Sequence, residues 1–249
     1  RAAEALNITQ SAASGAIAAL EARHDAKLFH RVGRGIELTD AGSFFLVEAR
    51  AVLARAEEAR VALEEYGGLK RGHLRLVASQ TIASYWLPER LAVFHARYPA
   101  IELSVAIANT QSAARAVLDG AAELGFIEGD IDDAALARWP VASDQMLLVS
   151  RTGAEAVTSD WLRAAPWVMR EQGSGTRSTF ETAMRDRAID PHALNIILTL
   201  PSNEAVLAAV RSGVGCAVLS QLVVRPALDS RELVALQLSL PARPFFALR

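Results

Sequence analysis

Short apolar runs alternate with helical patterns from His73 to the end of the chain, and this alternation limits the fold more than any other feature. Runs such as Ile101–Ala108 and Trp167–Arg170 have the length of strands, and segments near 83–97 and 203–212 with helical spacing of apolar residues lie between such runs. Strands that alternate with helices are typical of α/β architecture with a largely parallel sheet. The segment is long enough to form two lobes.

The first 40 residues predict a winged helix-turn-helix. A helical pattern in residues 1–6 is followed by the interruption "NIT" and by a second helix from about Gln10 to Arg23. In the second helix, Ala13, Ile17 and Leu20 have the spacing of an inward face. The stretch "KLFHRVGRGIELT" then has the pattern of strand, glycine-containing turn and strand, which predicts a β-wing.

Residues 41–69 predict one long helix that ends at a pair of glycines, and Thr39 or Asp40 can cap its start. Apolar residues in steps of four and three form a seam over three heptads, as in a coiled coil. The seam consists of Phe45, Ala49, Val52, Ala56, Ala59, Leu63 and Tyr66. We expect this helix to be a linker that dimerises, and the alternative is a core helix of a globular domain.

Composition excludes several classes of protein. The 249 residues are 51% apolar and 22% charged, which suits buried cores rather than disorder. No apolar run approaches the roughly 20 residues of a membrane-spanning helix. The single cysteine, Cys216, lies in the run "GCAVLS", where we expect a buried thiol and no internal disulfide. The sequence begins inside a helical pattern and stops inside a strand pattern, so we expect both natural ends to lie outside it.

The stretch "MREQGSGTRSTFE" places two glycines just ahead of a helix, and three interpretations are open. It could be a catalytic phosphate loop, a sensor for some other anion, or a tight turn. A phosphate loop for ATP would need a lysine that "GSGTR" lacks, and there is no GxGxxG motif. Neither a Ser/His/Asp arrangement nor an HExxH motif or cysteine cluster is evident, so the sequence predicts no enzyme, no metal and no cofactor.

The same stretch has the chemistry of an anion site. Gly173 and Gly175 allow the backbone N–H groups to turn toward one point, and the helix that follows contributes its positive end. Similar turns follow two other strands, and strand ends of this kind meet at one edge of a sheet. The hydroxyl and amide side chains at the three turns are Ser79, Thr81, Ser174, Thr176, Ser202 and Asn203. They predict a site for a small anion, although serine and threonine at these positions are also good helix caps.

Three further residues bear on this predicted site. Thr110, which opens a helix, and Gln172 are weaker candidates for lining it. Glu128 ends a strand near the same edge and would repel an anion, unless it pairs with Arg177 or is turned away.

Two long patterns resemble the winged helix-turn-helix of LysR-type transcriptional regulators. The sequence "RAAEALNITQSAASGAIAALEARHDAKLFHRVGRGIELTDAG" follows the family pattern almost residue for residue. The stretches "LPERLAVFHARYPAIELSV", "VLDGAAELGFIEG" and "SNEAVLAAVRSGVGCAVLS" follow in the family's order and spacing, so the resemblance covers the entire chain. The combination "GFIEG…REQGSGTR…SNEAV" is most similar to the branch that regulates sulfur, nitrogen or carbon assimilation.

The resemblance implies three domains. These are a winged helix-turn-helix in residues 1–40, a linker and dimerisation helix in 41–69, and an effector-binding regulatory domain in 72–249. The regulatory domain would have two lobes, like type 2 periplasmic binding proteins, with the effector in the cleft. We place the two crossing strands near Leu147–Val149 and Leu236–Leu240, so that lobe one is 72–147 with 239–249 and lobe two is 148–238. Family members of this kind form homodimers that join into homotetramers.

The family's recognition helix enters the major groove of DNA with its N-terminal residues, and the wing meets the backbone or the minor groove. The corresponding residues here are Thr9, Gln10, Ser11 and Ser14 in the helix and Lys27, Arg31 and Arg34 near the wing. Gln10 can pair with adenine, and Arg34 can enter a minor groove. Each of these arginines alone is equally consistent with a solvated surface charge.

The sequence as a whole therefore predicts a cytoplasmic LysR-type regulator that binds double-stranded DNA. It would sense a small anionic metabolite or an inorganic oxyanion. A free-standing solute-binding protein and an α/β enzyme are the alternatives. The helix-turn-helix and the absence of a signal peptide from this sequence oppose the first, and the missing catalytic residues oppose the second.

Overall fold

The computed structural model describes residues 3, 8–33, 35–66, 72–129, 131 and 133–249. In the helix before residue 67, the side chains of residues 54, 57, 58 and 60–66 lie outside the description. The chain divides into two compact units, Arg1–Arg60 and Val61–Arg249.

The first unit contains the predicted helix and wing. Helix α1 (Gln10–His24) begins at Thr9, whose hydroxyl accepts a hydrogen bond from the N–H of Ala12 at 3.2 Å. It ends at Asp25, which has the left-handed conformation with φ of 47°. Strands β1 (Phe29–Val32) and β2 (Gly35–Leu38) pair antiparallel, which confirms the wing. Arg34 at the wing tip and, apart from Ala3, the helix predicted in residues 1–6 lie outside the described residues.

Helix α2 (Asp40–Tyr66) is capped by Thr39 rather than by Asp40. The Thr39 hydroxyl accepts from the N–H of Gly42 at 2.9 Å and donates to the carbonyl of Lys27 at 2.5 Å. Gly42 is required at this helix start, because a Cβ atom there would lie 2.0 Å from the carbonyl oxygen of Leu28.

The predicted seam of α2 is exposed in the single chain. Phe45 is 39% exposed and Val52 is 68% exposed, and Ala56 and Ala59 are exposed as well. The side chains of Leu63 and Tyr66 lie outside the described residues. A row of apolar side chains left in solvent along one helix face favours the interface interpretation over that of a core helix.

The second unit alternates strands with helices as the sequence predicts. Its strands are β3 (Gly72–Ser79), β4 (Ile101–Ala108), β5 (Leu124–Glu128), β6 (Arg138–Ser150), β7 (Trp167–Arg170), β8 (Ile196–Leu200), β9 (Cys216–Ser220), β10 (Val234–Leu236) and β11 (Ala242–Leu248). Its α-helices are α3 (Leu87–Arg97, preceded by a π-helical turn at Ile82–Trp86), α4 (Thr110–Leu118), α5 (Ser159–Ala164), α6 (Gly175–Arg185), α7 (Asn203–Arg211) and α8 (Gln221–Asp229). A 3-10 turn spans Pro191–Ala193.

Among the described residues, the nine strands form one continuous sheet in the order β4-β3-β5-β11-β6-β9-β7-β8, with β10 paired to β6. The strand β6 pairs with β11 up to Gln145 and with β9 from Met146 onward, so it crosses from one half of the sheet to the other. The chain returns between β10, which pairs with Leu148–Ser150, and β11. These two crossings divide the sheet into two halves, and the two-lobed α/β fold is confirmed.

Each half of the sheet has its own core. In the first half, Ile127 and Phe245 are fully buried on opposite faces of the sheet with different helices. In the second half, Trp167 packs against Phe180 with ring centroids 4.5 Å apart. Cys216 is buried as predicted, and this burial raises the pKa of its thiol to about 12.

Two strands are longer than the sequence predicts. We predicted a strand from Gln145 to Ser150, whereas β6 begins at Arg138, and β11 begins at Ala242 rather than at Phe245. The additional residues, "RWPVASD" and "ARP", are partly polar and contain proline, so they lack the apolar signal of a strand. They are strands because β6 and β11 pair with each other there, through a register shift between Phe245 and Phe246.

No helix within the described residues is long and apolar enough to cross a membrane.

We predict that Val52→Asp weakens self-association of the full chain, because the carboxylate would have to be buried against a partner helix at a cost of several kcal/mol. Sedimentation velocity at low micromolar concentration should show dissociation. Val47→Asp is the matched control, because Val47 is 61% exposed and lies on the opposite face of α2 from Phe45. A Val52→Asp variant that remains fully assembled would show that the seam is not the interface.

Candidate effector site

The predicted site residues gather where strands of both halves of the sheet end. Ser79 ends β3, Glu128 ends β5 and Arg170 ends β7, while α6 and α7 begin opposite them. At the centre lies a group that we call the junction cluster, namely Ser79, Glu128, Asp144, Thr176 and Arg243. All five side chains are buried.

Arg243 is the centre of the junction cluster. Its side chain is 1% exposed, and its Nη2 atom lies 2.5 Å from Oδ2 of Asp144. Its Nη1 atom donates to the Thr176 hydroxyl at 3.2 Å and lies 3.5 Å from Oε1 of Glu128. Its Nε–H is buried and has no hydrogen-bond partner among the described residues. A buried guanidinium N–H without an acceptor is costly, so this group is suited to receive one.

The carboxylate of Glu128 forms an ion pair with the same guanidinium, that of Arg243. The Ser79 hydroxyl donates to Oε2 of Glu128, and the Thr81 hydroxyl lies 3.3 Å from Oε1. Burial raises the pKa of Glu128, and the nearby Arg243 opposes this effect without cancelling it. The sequence left open whether Glu128 pairs with Arg177. It does not, because the Nε atom of Arg177 binds Glu181 on its own helix at 2.7 Å.

A second buried cation, Arg170, connects the cluster to α7. Its Nη1 atom donates to Oδ1 of Asn203 at 2.6 Å, and its Nε atom binds Glu171 at 2.7 Å. The amide of Asn203 in turn donates to the Thr81 hydroxyl at 3.0 Å. Because Thr81 and Asn203 belong to different halves of the sheet, this bond joins the two lobes.

Two of the predicted residues keep a free hydroxyl donor inside the site. The Ser174 side chain is 2% exposed and makes no hydrogen bond within the described part of the chain. The Thr176 hydroxyl accepts from Arg243 and retains its own hydrogen. Together with the Nε–H of Arg243, they give three donors close to the start of α6, where the helix dipole favours negative charge.

The remaining predicted residues have other roles in this structure. The Thr110 hydroxyl donates to the carbonyl of Glu128 at 2.8 Å, so it has no hydrogen left for a ligand. Ser202 caps α7 through the N–H of Ala205 at 3.0 Å. Gln172 is exposed, and its carbonyl accepts from the Asn109 amide at 3.4 Å.

The second glycine of "GSGTR" is explained by close packing of the lobes. A Cβ atom on Gly175 would lie 2.2 Å from the carbonyl oxygen of Glu128 and 2.5 Å from the Thr110 hydroxyl. The N–H of Gly175 also donates to that hydroxyl at 3.1 Å. Gly173 has φ of 84°, which favours glycine. The loop is therefore a tight turn, and its two hydroxyls remain available for a ligand.

Sequence reasoning missed Arg243, Asp144 and Arg170, although two of them carry a signal. Arg243 alternates with Phe245 and Ala247 on the buried face of β11. Asp144 alternates in the same way with the buried Met146 of β6, but the predicted strand began one residue too late to include it. A charged residue at an inward position of a strand indicates a buried partner.

Six of the seven predicted DNA-contacting side chains belong to the described residues, and all six are exposed on the first unit. Thr9, Gln10, Ser11 and Ser14 are exposed at the start of α1, where the Gln10 amide donates to the Ser14 hydroxyl at 3.1 Å. Arg31 is exposed on β1. The Nζ atom of Lys27 binds Glu21 at 2.8 Å, and this bond, with the N–H of Leu28, holds the pKa of Glu21 below its ordinary value.

We predict that Arg243→Met lowers the free energy of unfolding by about 3–5 kcal/mol, because it leaves two carboxylates buried without a cation. Urea unfolding of the full chain measures this loss, which should shrink as the pH falls and Glu128, whose pKa is raised by burial, becomes neutral. Arg225→Met is the control. Arg225 and Asp229 are 72% and 75% exposed and 3.9 Å apart, so its loss should cost less than about 1 kcal/mol. Equal effects of the two variants would contradict the role assigned to Arg243.

Comparison with known proteins gives one family for both parts of the chain. Residues 1–43 match the model of the bacterial regulatory helix-turn-helix protein of the lysR family, and residues 67–248 match the LysR substrate binding domain. The HTH-type transcriptional regulator YeiE of Escherichia coli is 31% identical over 95% of this chain and 80% of its own length. The HTH-type transcriptional regulator CbbR of Rhodospirillum rubrum is 33% identical over 94% of this chain and 78% of its own length.

A solved structure shows the same fold for the second unit. The regulatory domain of CcmR from Synechocystis, in complex with 2-PG, superimposes with a TM-score of 0.64 at 24% identity over 72% of this chain and 88% of that one. The relatives are named as transcriptional regulators, and none of these names is that of an enzyme. The chain belongs to the LysR family of DNA-binding transcriptional regulators, with a helix-turn-helix domain and an effector-binding domain.

Proposed function

We propose that this LysR-type regulator senses a small anion, a metabolite or an inorganic oxyanion, which binds at the junction cluster between the two lobes. The observation that carries the proposal is the buried Nε–H of Arg243, which has no partner among the described residues. The free hydroxyls of Ser174 and Thr176 supply two further donors next to the start of α6. Hydrogen-bond donors contributed by several elements are the usual means of holding an oxyanion.

The anion would contact both lobes. Arg243 lies on β11 of the first half of the sheet, and Ser174 and Thr176 belong to the start of α6 in the second half. A ligand shifts an equilibrium between two arrangements only by its different affinity for them, and contacts from both lobes supply such a difference. Of the eight residues that we proposed from the sequence, Ser174 and Thr176 would supply hydroxyl donors to the anion. Ser79 and Thr81 would act through Glu128, and Asn203 through Arg170 and Thr81. Thr110, Gln172 and Ser202 make the other contacts described above.

The ligand of a structural neighbour is one candidate. The CcmR regulatory domain was solved in complex with 2-PG, and this chain shares its fold. A phosphate or a carboxylate would satisfy the same three donors. We therefore propose the anionic group of the ligand, and a screen would identify the rest of the molecule. Inorganic oxyanions and small carboxylates belong in the same screen.

We further propose that the protein is cytoplasmic and acts on double-stranded DNA as a homodimer held by α2, with dimers joined into a homotetramer. The exposed apolar seam on α2 supports the dimer. The exposed polar side chains at the start of α1 and the cations near the wing support a DNA contact through base edges and phosphates.

We predict that Ser174→Ala and Thr176→Val each weaken binding of the effector, since losing one hydroxyl donor to a charged ligand costs about 1.5–3 kcal/mol. A thermal-shift screen of anions identifies the ligand, which at a hundredfold excess over its Kd stabilises the wild type by about 2.7 kcal/mol. Ser174→Ala is the sharper test, because this hydroxyl has no hydrogen bond to lose within the described residues.

Ser178→Ala is the matched control on the same helix, because among the described residues the Ser178 hydroxyl binds only the carbonyl of Gly175, at 3.2 Å. It should retain the full thermal shift. Unchanged affinity in both Ser174→Ala and Thr176→Val would exclude the junction cluster as the site. All variants should bind DNA in the absence of effector as the wild type does.

We predict that Arg34→Ala weakens binding of the dimer to its operator severalfold and lowers the salt dependence by about one counterion per subunit. Fluorescence anisotropy with duplex DNA at several salt concentrations measures both quantities. Arg225→Ala removes a cation that is 72% exposed in the second unit and should leave both unchanged. An Arg34→Ala variant that matches the wild type at every salt concentration would show that the wing tip makes no phosphate or minor-groove contact.

A further inference from the structure

The junction cluster holds more negative than positive charge. Glu128 and Asp144 share one guanidinium, that of Arg243. Arg170 is close enough to influence Glu128, but it is engaged by Glu171 at 2.7 Å and by Asn203 at 2.6 Å. An anion that entered this buried site would add a further negative charge to an existing excess, which costs free energy in a medium of low dielectric.

We infer that the site takes up one proton with each anion that it binds, and that Glu128 holds this proton. The inference rests on the proposed anion site. A protonated Glu128 has no charge to repel the anion, and its O–H becomes a donor in place of a competing acceptor. The guanidinium of Arg243 would then be free to contact the anion while it keeps Asp144.

The geometry assigns the proton to Glu128 rather than to Asp144. Asp144 is held by Arg243 at 2.5 Å and accepts from the Ser220 hydroxyl at 2.9 Å. Glu128 lies 3.5 Å from the same guanidinium and has hydroxyls as its other partners. Burial raises the pKa of Glu128, and the charge of Asp144 adds to this, whereas Arg243 and Arg170 act against it.

The other elements around Glu128 bring hydroxyls or charges that are engaged elsewhere. The end of β3 supplies Ser79, and the first turn of α6 has no acidic residue. On α6, Arg177 is paired with Glu181. On α7, the carboxylate of Glu204 accepts from Gln80 and from the Tyr85 hydroxyl. The proton balance of the site is therefore set by Glu128 against Arg243, Arg170 and Asp144.

Two anions that carry no proton at neutral pH, inorganic sulfate and acetate, serve as probes. Isothermal titration of the full chain in two buffers of different ionisation enthalpy gives the number of protons taken up per anion. Above the pKa of Glu128, we expect the uptake of about one proton per anion. The affinity should then fall about tenfold for each unit by which the pH rises. In Glu128→Gln the amide N–H supplies the donor without taking up a proton, so proton uptake should vanish and the affinity should no longer fall as the pH rises. Above the pKa of Glu128, this variant should bind the probes more tightly than the wild type does.

Glu102→Gln makes the same chemical change at an exposed position on β4 and should behave as the wild type. Binding of a probe to the wild type without proton uptake would overturn the inference and leave the anion site standing. If the affinity of Glu128→Gln for a probe still falls as the pH rises, the inference is likewise overturned and the anion site still stands. If neither probe binds the wild type and the anion screen gives no thermal shift, the proposed function fails, and the inference fails with it.

Discussion

The requirement that a buried guanidinium be neutralised ties the regulatory domain together. Arg243 comes from β11, its partner Asp144 from the crossing strand β6, Glu128 from β5 and Thr176 from the first turn of α6. A cation this deeply buried is tolerated only with charged and hydrogen-bonding partners around it. The last strand of one lobe, the strand that joins the lobes and a helix of the other lobe therefore share one electrostatic centre, and their relative positions are restricted by it.

Close steric contact also restricts the relative positions of the two lobes at this junction. The carbonyl of Glu128 approaches Gly175 so closely that no side chain fits, and the Thr110 hydroxyl connects the two backbones by accepting from Gly175 and donating to Glu128. Packing of the lobes thus accounts for this glycine without any ligand. What packing does not use are the hydroxyl hydrogens of Ser174 and Thr176, and these are the groups on which a ligand hypothesis depends.

Local patterns predicted the elements of this fold but not the electrostatic centre of the site. Strands such as Ile101–Ala108 and Trp167–Arg170 were predicted at their observed bounds. Apolar residues alternate with Glu102 and Ser104 in the first half of the former and are contiguous in the latter, and the neighbouring helices are amphipathic. Strand β6 was predicted too short, because its first half owes its structure to pairing with β11. Because of the same error, Asp144 was not included in the predicted strand. Asp144 and Arg243 are 99 positions apart in the sequence. Pairing across such a distance depends on topology, which the periodicity of single segments does not contain.

Entry of an anion must disturb contacts that already hold the lobes together. The residues of the proposed site are at most 6% exposed, and the lobes are joined there by bonds such as that from Asn203 to Thr81 at 3.0 Å. To convert an equilibrium of 1:99 into 99:1, a ligand needs about 5.5 kcal/mol of differential affinity. Three charge-assisted hydrogen bonds, from Ser174, Thr176 and Arg243, at about 1.5–3 kcal/mol each are of the same order. The anion therefore acts as a switch if it makes these bonds in one arrangement of the lobes and lacks them in the other. In the present arrangement the ionised carboxylate of Glu128 opposes binding of the anion, because it already accepts hydrogen bonds at the site.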